Sequence, residues 1–568
     1  MVDPFWEKVY PKGVKWGFNA PPRALTELLD EAATKWSKRT YLDFMGCKLS
    51  FADAHDLADR AAKGFQALGV GKGVKVGLFL PNVPHYVIAF FGVLKAGGTV
   101  VNYSPLDAER ELEHKIADSE TDFIVTLDLK ALYPRIAPVA LSSRVKKLIV
   151  GSLQDYLPFP KSLLFPLFKG KEIAAVPDDD RHVRWKSLVA NDGRFEPAHP
   201  GNLAEEVAVL QYTGGTTGTP KGAMLTNANL SAAVELIRQW TGGETPLLDD
   251  GKESVLTILP LFHIYAMTVV MLCGARIGAT LILHPRFDAD AVLKDLAKKR
   301  PTMLPGVPTM FTALLNHPKA ADVDMTSLKY CGSGGAPLPP EIQARFVKKT
   351  GTQLVEGWGM TETCAPGTGT PKGGYRAGSA GVPLPGCLIE FVDVNDPLKL
   401  VPHGQTGEIC ISGPNLMKGY WKKPKETEEA FAGGRFHTGD IGYMDADGYL
   451  FIIDRKKDMI LSGGFNVYPR NIEDAIYQHP DVAEVTVIGV PDDYRGQSAK
   501  AFVKLKDGAR QFSIEELRQF LGDKLGRHEL PTELDIRAEL PKTPVGKLSK
   551  KELLAEEAAR REKKRTTA

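Results

Sequence analysis

Cysteine is scarce in this sequence and is not arranged to bind metal. The six cysteines among 568 residues include no Cys-x-x-Cys pair, which excludes the common zinc-binding frameworks and favours reduced thiols. A charge excess of either sign is also lacking. The 71 basic and 69 acidic residues leave a formal charge of +2, which gives no electrostatic reason to expect nucleic acid as a partner. We therefore expect a cytoplasmic protein with reduced thiols and no nucleic-acid partner.

Long apolar runs are lacking as well. Residues 1–13 contain acidic residues and no apolar segment of the kind found in signal peptides. The most apolar longer run, residues 265–283, is interrupted by Arg276 and two glycines, so it predicts a buried helix and strand rather than a membrane span. These absences together predict a soluble protein.

The length of the chain predicts several domains, and its alternating patterns predict their class. Helix patterns separate short apolar runs that predict strands at 74–80, 99–102, 123–127, 254–259, 280–283, 328–331 and 353–356. Ser50 and Asp53 resemble a capping box at the start of one of these helices. The alternation predicts an α/β fold of helix-covered, mostly parallel sheets.

Two later stretches have a different pattern. Residues 381–411 contain several Gly and Pro turns and predict a β-rich subdomain. From residue 454 onward the pattern predicts an α+β module, with helices at 470–479 and 513–525 and strands at 484–490 and 500–505. We assign residues 1–453 to a large N-terminal domain and residues 454–568 to a small C-terminal domain.

Residues 151–205 interrupt the alternation, and we interpret them as a surface insertion on the large domain. The segment 156–168 is apolar and broken by prolines, and an acidic run follows at 178–180. Two alternatives stay open for the apolar segment. It contacts a membrane surface, because Phe and Leu flanked by Lys suit that interface, or it packs against its own domain.

A glycine-rich stretch, YTGGTTGTPKGAMLT at 212–226, directly follows the apolar run 207–210. Glycine brings backbone N–H groups close to a ligand, threonine hydroxyls add donors, and Lys221 adds a cation, so the stretch suits a polyphosphate. It does not match a P-loop, because Lys221 lies between Pro220 and Gly222. A plain hairpin turn is the alternative.

The glycine-rich stretch resembles the phosphate-binding signature of the adenylate-forming superfamily, which includes acyl-CoA synthetases, luciferases and peptide-synthetase adenylation domains. Later motifs resemble their counterparts in that superfamily, in the expected order, across nearly the whole chain. The resemblance implies ATP as a co-substrate, bound in this stretch by Thr213, Gly214, Gly215, Thr216, Thr217, Gly218 and Lys221.

Two motifs resemble the acyl and adenine sites of the superfamily. LPLFHIYAM at 259–267 implies that His263 lies at the mouth of the acyl pocket near the reacting carboxylate and that Tyr265 lines its wall. A satisfied core histidine is the alternative for His263. GSGGAPL at 332–338 implies a loop on the adenine ring, with Gly332 in the acyl pocket and with nucleotide contacts from Gly334, Gly335, Ala336 and Pro337.

The motif EGWGMTET at 356–363 resembles the superfamily's YGxTE motif, with Trp358 in place of the usual Tyr beside adenine. The resemblance also implies that Glu356 and Gly357 contact the nucleotide beside Trp358. The resemblance gives Thr361 to phosphate or acyl oxygens and Glu362 to Mg²⁺. A single carboxylate suffices because Mg²⁺ also takes phosphate oxygens and water.

Motifs for the ribose and the hinge follow. FHTGD at 436–440 implies that Asp440 accepts hydrogen bonds from both ribose hydroxyls, as a carboxylate can. DRKKDMI at 454–460 resembles the hinge between the two lobes. The resemblance implies that Arg455 reaches the nucleotide and that the C-terminal lobe turns about Lys457.

The last two motifs lie on the small domain. SGGFNVYP at 462–469 resembles the loop that lines the pantetheine tunnel, which implies CoA contact at Gly463 and Gly464. PKTPVGK at 541–547 resembles the catalytic-lysine motif, which implies that Lys547 bridges the attacking carboxylate and the α-phosphate. By the resemblance these two groups serve the same acyl-adenylate from opposite faces of the domain.

The resemblance implies an AMP-forming acid–thiol ligase, most like the bacterial long-chain fatty acid–CoA ligases. Leu461 and Asn466 fit the fatty-acyl branch, since aryl-activating relatives carry Lys and Gln there. Carboxylate and MgATP would give acyl-adenylate and pyrophosphate, and CoA would then give the thioester and AMP. Peripheral contact with the inner membrane face is part of this expectation.

Four alternatives stay open. One is an adenylating enzyme that passes the acyl group to a separate carrier protein, and another is a CoA ligase for aryl or dicarboxylic acids. A third is luciferase-like oxidation of an adenylate. The fourth is a nucleotide-binding regulator without catalysis, which the retained Lys221, Glu362, Asp440, Arg455 and Lys547 disfavour.

Overall fold

The computed structural model describes residues 4–18, 20–198, 201–213, 219–335, 338, 340–463, 465–492, 494–543 and 548–567. The chain divides into two compact units. The first comprises the chain up to the glycine-rich loop, Thr219–Leu388 and Ser412–Glu429, and the second comprises Ile389–Ile411 and the chain from Ala430 onward.

Within the described residues, the first unit contains two large sheets. One has seven strands in the order Leu354–Glu356, Tyr330–Ser333, Met303–Gly306, Ser254–Thr257, Thr280–Leu283, Thr40–Phe44 and Cys47–Ser50. All neighbouring pairs are parallel except the last, which is a hairpin. Buried side chains such as Leu256, Leu304, Phe311 and Phe346 form the core on this sheet. The predicted parallel character is confirmed.

The second sheet has eight strands, in the order Gly419–Tyr420, Lys221–Thr226, Val207–Thr213, Thr99–Asn102, Lys75–Leu78, Phe123–Leu127, Lys147–Gly151 and His182–Arg184. The first two pairs are antiparallel and the others are parallel. A small ribbon joins Thr368–Gly369 to Val382–Pro383.

Helices cover both sheets. In the first unit they span Thr26–Lys35, Phe51–Ala67, Pro84–Lys95, Glu109–Ser119, Tyr133–Leu141, Lys161–Lys169, Trp185–Leu188, Asn227–Trp240, Ala266–Leu272 (a π-helix), Cys273–Ile277, Ala289–Lys299, Pro308–Asn316, Pro340–Thr350 and Pro424–Ala430. Ser50 and Asp53 form the predicted capping box. The run 265–283 is a buried helix and strand, as predicted.

Residues 151–205 are divided between the sheet and the surface. Strand His182–Arg184 extends the eight-stranded sheet, and Tyr156 and Trp185 are buried. Helix Lys161–Lys169, in contrast, contains no buried residue. Phe159, Leu163, Leu167 and Phe168 are each more than two-thirds exposed.

The second unit contains two smaller sheets within its described residues. A four-stranded sheet has the order Leu388–Val392, Gly407–Ser412, Phe436–Met444 and Leu450–Arg455. A five-stranded sheet contains Phe465–Val467, Ile460–Ser462, Gly496–Leu505, Val482–Asp492 and Glu533–Ile536. Helices Pro469–Tyr477, Ile514–Leu521 and Lys550–Thr567 accompany the second sheet. The predicted α+β pattern after residue 454 is therefore present.

Candidate active site

The glycine-rich stretch lies at the end of a β-hairpin. Strands Val207–Thr213 and Lys221–Thr226 pair antiparallel, with Thr213 opposite Lys221. The predicted phosphate-binding residues Gly214, Gly215, Thr216, Thr217 and Gly218 lie outside the described residues. Their two neighbours in the motif, Thr213 and Lys221, are half-buried at the mouth of the hairpin.

Lys221 and Glu362 both contact Tyr420. The Lys221 ammonium is 4.3 Å from the centre of the Tyr420 ring. The Tyr420 hydroxyl donates a hydrogen bond of 2.8 Å to Glu362 Oε1. The two motifs meet here because strand Gly419–Tyr420 pairs with Ala223 and Met224. Burial, followed by the charge of Glu362, raises the pKa of Tyr420, so its hydroxyl stays protonated.

A tight backbone turn fixes the segment that carries Thr361 and Glu362. At Gly359 an added Cβ would lie 1.6 Å from the carbonyl oxygen of Ala365, so only glycine fits. Cys364 and Ala365 both have positive φ, at 53° and 95°, a conformation that costs free energy in a non-glycine residue.

Buried hydrogen bonds hold this turn in place. The side-chain amide of Asn415 donates to the carbonyls of Thr363, at 2.8 Å, and Pro366, at 2.6 Å. The backbone N–H of Met417 donates to the carbonyl of Glu362 at 2.7 Å. Asn415 thus holds the turn itself and Tyr420 connects it to the hairpin, and the sequence pattern identified neither.

Glu356 and Trp358 are fixed beside the same turn. Glu356 Oε1 accepts a hydrogen bond of 2.9 Å from the backbone N–H of Leu338. The N–H of Trp358 donates to Thr368 Oγ1 at 3.0 Å, and the Trp358 side chain is 7% exposed. Gly357 is exposed between them. Ala336 and Pro337, predicted on the same nucleotide face, lie outside the described residues.

Tyr265 packs on the loop that was predicted to lie on the adenine ring, with Gly332 in the acyl pocket. Its hydroxyl donates a long hydrogen bond of 3.4 Å to the carbonyl of Gly332. A Cβ at Gly332 would lie 3.0 Å from the hydroxyls of Tyr265 and Tyr330, and one at Gly334 would lie 2.9 Å from the Tyr265 ring. His263 is half-buried, and its Nδ1 accepts from the Tyr265 N–H at 3.3 Å. Four predicted residues are therefore close together.

The second unit brings the two predicted nucleotide residues Asp440 and Arg455 together. They are paired across neighbouring strands, and Arg455 Nε lies 2.7 Å from Asp440 Oδ1. Asp440 is buried, and its N–H donates to Thr438 Oγ1 at 3.1 Å. The buried carboxylate of Glu408 accepts from Gly439 N–H at 3.2 Å and from Lys456 Nζ at 2.8 Å, so it braces both strands.

The predicted hinge and tunnel residues also lie in the second unit. Lys457 is exposed in the turn that follows strand Leu450–Arg455. Gly463 has a φ of 58°, and its N–H donates to the Arg495 carbonyl at 2.8 Å. Gly464 and Lys547 lie outside the described residues.

The described residues contain no group of three or more His, Cys, Asp or Glu side chains that would hold a metal ion by itself. Glu362, half-buried and close to Lys221, fits the alternative arrangement, in which one carboxylate and the phosphate oxygens of a nucleotide share the ion. The donor set is therefore compatible with Mg²⁺ that arrives with a nucleotide.

The chain is similar to known proteins over nearly its whole length. The family described as AMP-binding enzyme matches residues 29–421, and the AMP-binding enzyme C-terminal domain matches residues 471–547. A long-chain-fatty-acid–CoA ligase of Bacillus subtilis (strain 168) is 40% identical over 562 residues, which cover 97% of this chain and 98% of that protein.

Two further proteins are similar over most of the chain. A feruloyl-CoA synthase of Amycolatopsis sp. is 36% identical over 518 residues, covering 89% of this chain and 94% of that protein. The crystal structure of ATP-bound MatB from Rhodopseudomonas palustris aligns with a TM-score of 0.80 at 28% identity, covering 94% of this chain and 98% of that chain.

Proposed function

The chain belongs to the AMP-binding enzyme family, and we propose on this premise that it is an ATP-dependent fatty acid–CoA ligase that releases AMP and pyrophosphate. The contact of both Lys221 and Glu362 with Tyr420 carries the proposal, because a cation and a carboxylate at one place suit a nucleotide phosphate with its Mg²⁺.

In the first half-reaction the large domain binds and orients both substrates. Lys221 and the hairpin loop would neutralise the phosphates, Glu362 and Thr361 would hold Mg²⁺ and phosphate oxygens, and Asp440 would hold the ribose. Lys547 bridges the carboxylate and the α-phosphate, where it stabilises charge that develops during transfer. Bound Mg²⁺ supplies further neutralisation of the phosphate charge.

The acid lies between His263, Tyr265 and Gly332. The contact between Tyr265 and Gly332 supports this position, since any side chain at Gly332 would meet the two phenol groups beside it. Leu461 and Asn466 support a fatty acid of medium to long chain. The feruloyl-CoA synthase relative supports an aryl acid as the second candidate substrate.

In the second half-reaction residues 454–568 act as a small domain that turns about Lys457. This rotation moves Lys547 out of the active site and brings in the loop at Gly463 and Gly464. The loop then guides CoA to the acyl-adenylate. The exposed position of Lys457 in a turn between two strands supports this assignment, because an exposed turn accommodates a change of backbone angle more readily than a packed strand does.

CoA-dependent AMP release across a panel of acids tests the proposal. The panel contains octanoate, palmitate, hexadecanedioate, benzoate and ferulate. We expect the highest kcat/KM with a straight-chain fatty acid. A higher value with ferulate or benzoate would assign the enzyme to aryl acids, and adenylate formation without any CoA-dependent product would favour a carrier-protein acceptor.

The proposal includes contact with a membrane surface through helix Lys161–Lys169. Phe159, Leu163, Leu167 and Phe168 are exposed on and beside this helix, and Met45 is 50% exposed next to it. The Lys161 ammonium donates to the Met45 carbonyl at 3.4 Å, so the two chain segments form one apolar surface. Basic residues in this region, Lys48, Lys161, Lys169 and Lys171, are exposed and suit anionic headgroups.

Sedimentation with lipid vesicles tests this contact. We expect the protein to bind phosphatidylcholine vesicles that contain phosphatidylglycerol, more weakly as salt rises. Leu163→Glu with Leu167→Glu should abolish binding, whereas Leu398→Glu, at an exposed leucine of the other unit, should not. Equal binding by all three proteins would contradict the assignment. No helix among the residues described here has the length and hydrophobicity to cross a bilayer.

A further inference from the structure

A largely buried ion pair lies at the start of the last helix. Lys550 Nζ is 3.0 Å from Glu473 Oε1, and the two side chains are only 18% and 16% exposed. The same Glu473 oxygen accepts a hydrogen bond of 2.8 Å from the backbone N–H of Val487. The pair therefore joins three elements, namely helices Lys550–Thr567 and Pro469–Tyr477 and strand Val482–Asp492.

Lys550 also fixes one end of the segment that carries Lys547, which it follows by three residues. Lys542 and Leu548 form an antiparallel bridge, and the N–H of Ser549 donates to the Pro541 carbonyl at 2.8 Å. These contacts join the residues on either side of the loop that carries Lys547 and so form the base of that loop. The ion pair then attaches this base to the body of the domain.

The Lys550 ammonium acts on the hinge segment as well. Burial alone would lower the pKa of Lys550, but the charges of Glu473, Asp454 and Asp458 raise it above its ordinary value. Asp454 is buried and accepts hydrogen bonds of 2.7 Å from the N–H groups of Arg455 and Arg470. The electrostatic environment of Lys550 thus includes Asp454 and Asp458, the residues that flank Arg455 and Lys457.

We propose that Lys550 is a positioning residue, which holds the Lys547 loop in the geometry required for adenylate formation. The inference rests on the proposed function and assigns a role to a residue outside the catalytic set. Loss of one partner from a purely structural ion pair would change stability alone, because the remaining charge is left buried and uncompensated. A positioning pair changes the rate of one half-reaction.

The test compares Lys550→Met with Lys551→Met, a matched change at the exposed next residue. Acid-dependent pyrophosphate exchange measures adenylate formation, and thioester release from supplied acyl-adenylate and CoA measures the second half-reaction. We expect Lys550→Met to lower kcat of the first by about ten-fold or more, with KM for ATP nearly unchanged, and to leave the second near the wild-type rate. Lys551→Met should leave both near wild type.

Two further variants keep the test decisive if Lys550→Met does not fold. Lys550→Arg retains the charge and should restore most of the exchange rate. Glu473→Gln retains an oxygen for the Val487 N–H while removing the ion pair, and it should lower exchange selectively. Equal loss in both half-reactions, or no difference from Lys551→Met, would overturn the inference. Absence of exchange in the wild-type protein would instead overturn the proposed function.

Discussion

The hydroxyl of Tyr420 donates to Glu362 Oε1 at 2.8 Å while its ring lies 4.3 Å from the ammonium of Lys221. One aromatic side chain therefore contacts both the predicted phosphate-binding cation and the predicted magnesium-binding carboxylate. A cation and a carboxylate held at one residue suit MgATP, whose phosphates are anionic and whose metal ion is cationic.

Replacing Glu362 with glutamine tests its charge with little change in shape. The amide oxygen still accepts from Tyr420, so we expect normal thermal unfolding. We expect acid-dependent pyrophosphate exchange to fall by about 100-fold, because a charge aimed at the transition state is lost. Tyr420→Phe keeps the carboxylate and should lose much less activity. A Glu362→Gln enzyme with wild-type exchange would contradict the metal-binding role.

The identity of the nucleotide product distinguishes adenylate formation from phosphoryl transfer. We expect AMP and pyrophosphate, and no ADP, because the chain has Glu362 beside a glycine-rich hairpin and lacks the P-loop sequence. Chelation of Mg²⁺ should stop the reaction. Anion-exchange chromatography of the reaction mixture measures this directly, and ADP that forms in step with acid consumption would refute the mechanism.

The two half-reactions should be separable on the small domain. Lys547→Ala should abolish adenylate formation yet convert supplied acyl-adenylate and CoA into thioester. Gly463→Leu should do the reverse, leaving pyrophosphate exchange intact and blocking the CoA step. Among the described residues no heavy atom lies within 4 Å of a Cβ built at Gly463, so the substitution meets no clash at its first side-chain atom.

Gly463→Ala is the control for that substitution, since it carries the same cost of the positive φ, about 1–2 kcal/mol, with little bulk. Rapid-quench measurement of each half-reaction gives the comparison. If Lys547→Ala and Gly463→Leu slow both half-reactions to the same extent, rotation of the domain does not separate the steps.

Chain-length preference should respond to Gly332. Gly332→Val adds methyl groups where a Cβ already lies 3.0 Å from the Tyr265 and Tyr330 hydroxyls, so we expect the preferred acid to become shorter. The ratio of kcat/KM for octanoate to that for palmitate measures the change. Gly71→Ala, at a site where an added Cβ meets no heavy atom within 4 Å, should leave the ratio unchanged.

Most of the fold was predictable because its signals are local. The strands at 99–102 and 280–283 are short apolar runs between helices, and the capping box at Ser50 and Asp53 marks a helix start by itself. The site residues were predicted for another reason: a resemblance over the whole chain supplied a role for Glu362 that no local pattern contains, and it added to the role that the glycine-rich stretch itself suggests for Lys221.

The missing parts of the site depend on contacts between distant segments. Tyr420 lies in a two-residue strand, which is too short to show any periodicity, and its partner Glu362 is 58 residues away. Asn415 and Glu408 act through buried hydrogen bonds to backbone groups, and a sequence pattern does not show which backbone an amide or carboxylate meets. The exposure of helix Lys161–Lys169 likewise depends on tertiary packing, because its apolar composition suits a core equally well.

The pairing of Gly419–Tyr420 with Lys221–Thr226 has a consequence for synthesis of the chain on the ribosome. Strand Lys221–Thr226 has no partner at this edge until about 190 more residues, up to Gly419–Tyr420, have been synthesised. At roughly 5–20 residues per second this interval is on the order of 10–40 s. During that time the strand presents unpaired backbone groups beside an apolar interior, which is a template for association between nascent chains. Chaperone demand during translation should therefore be greatest between the appearance of these two segments.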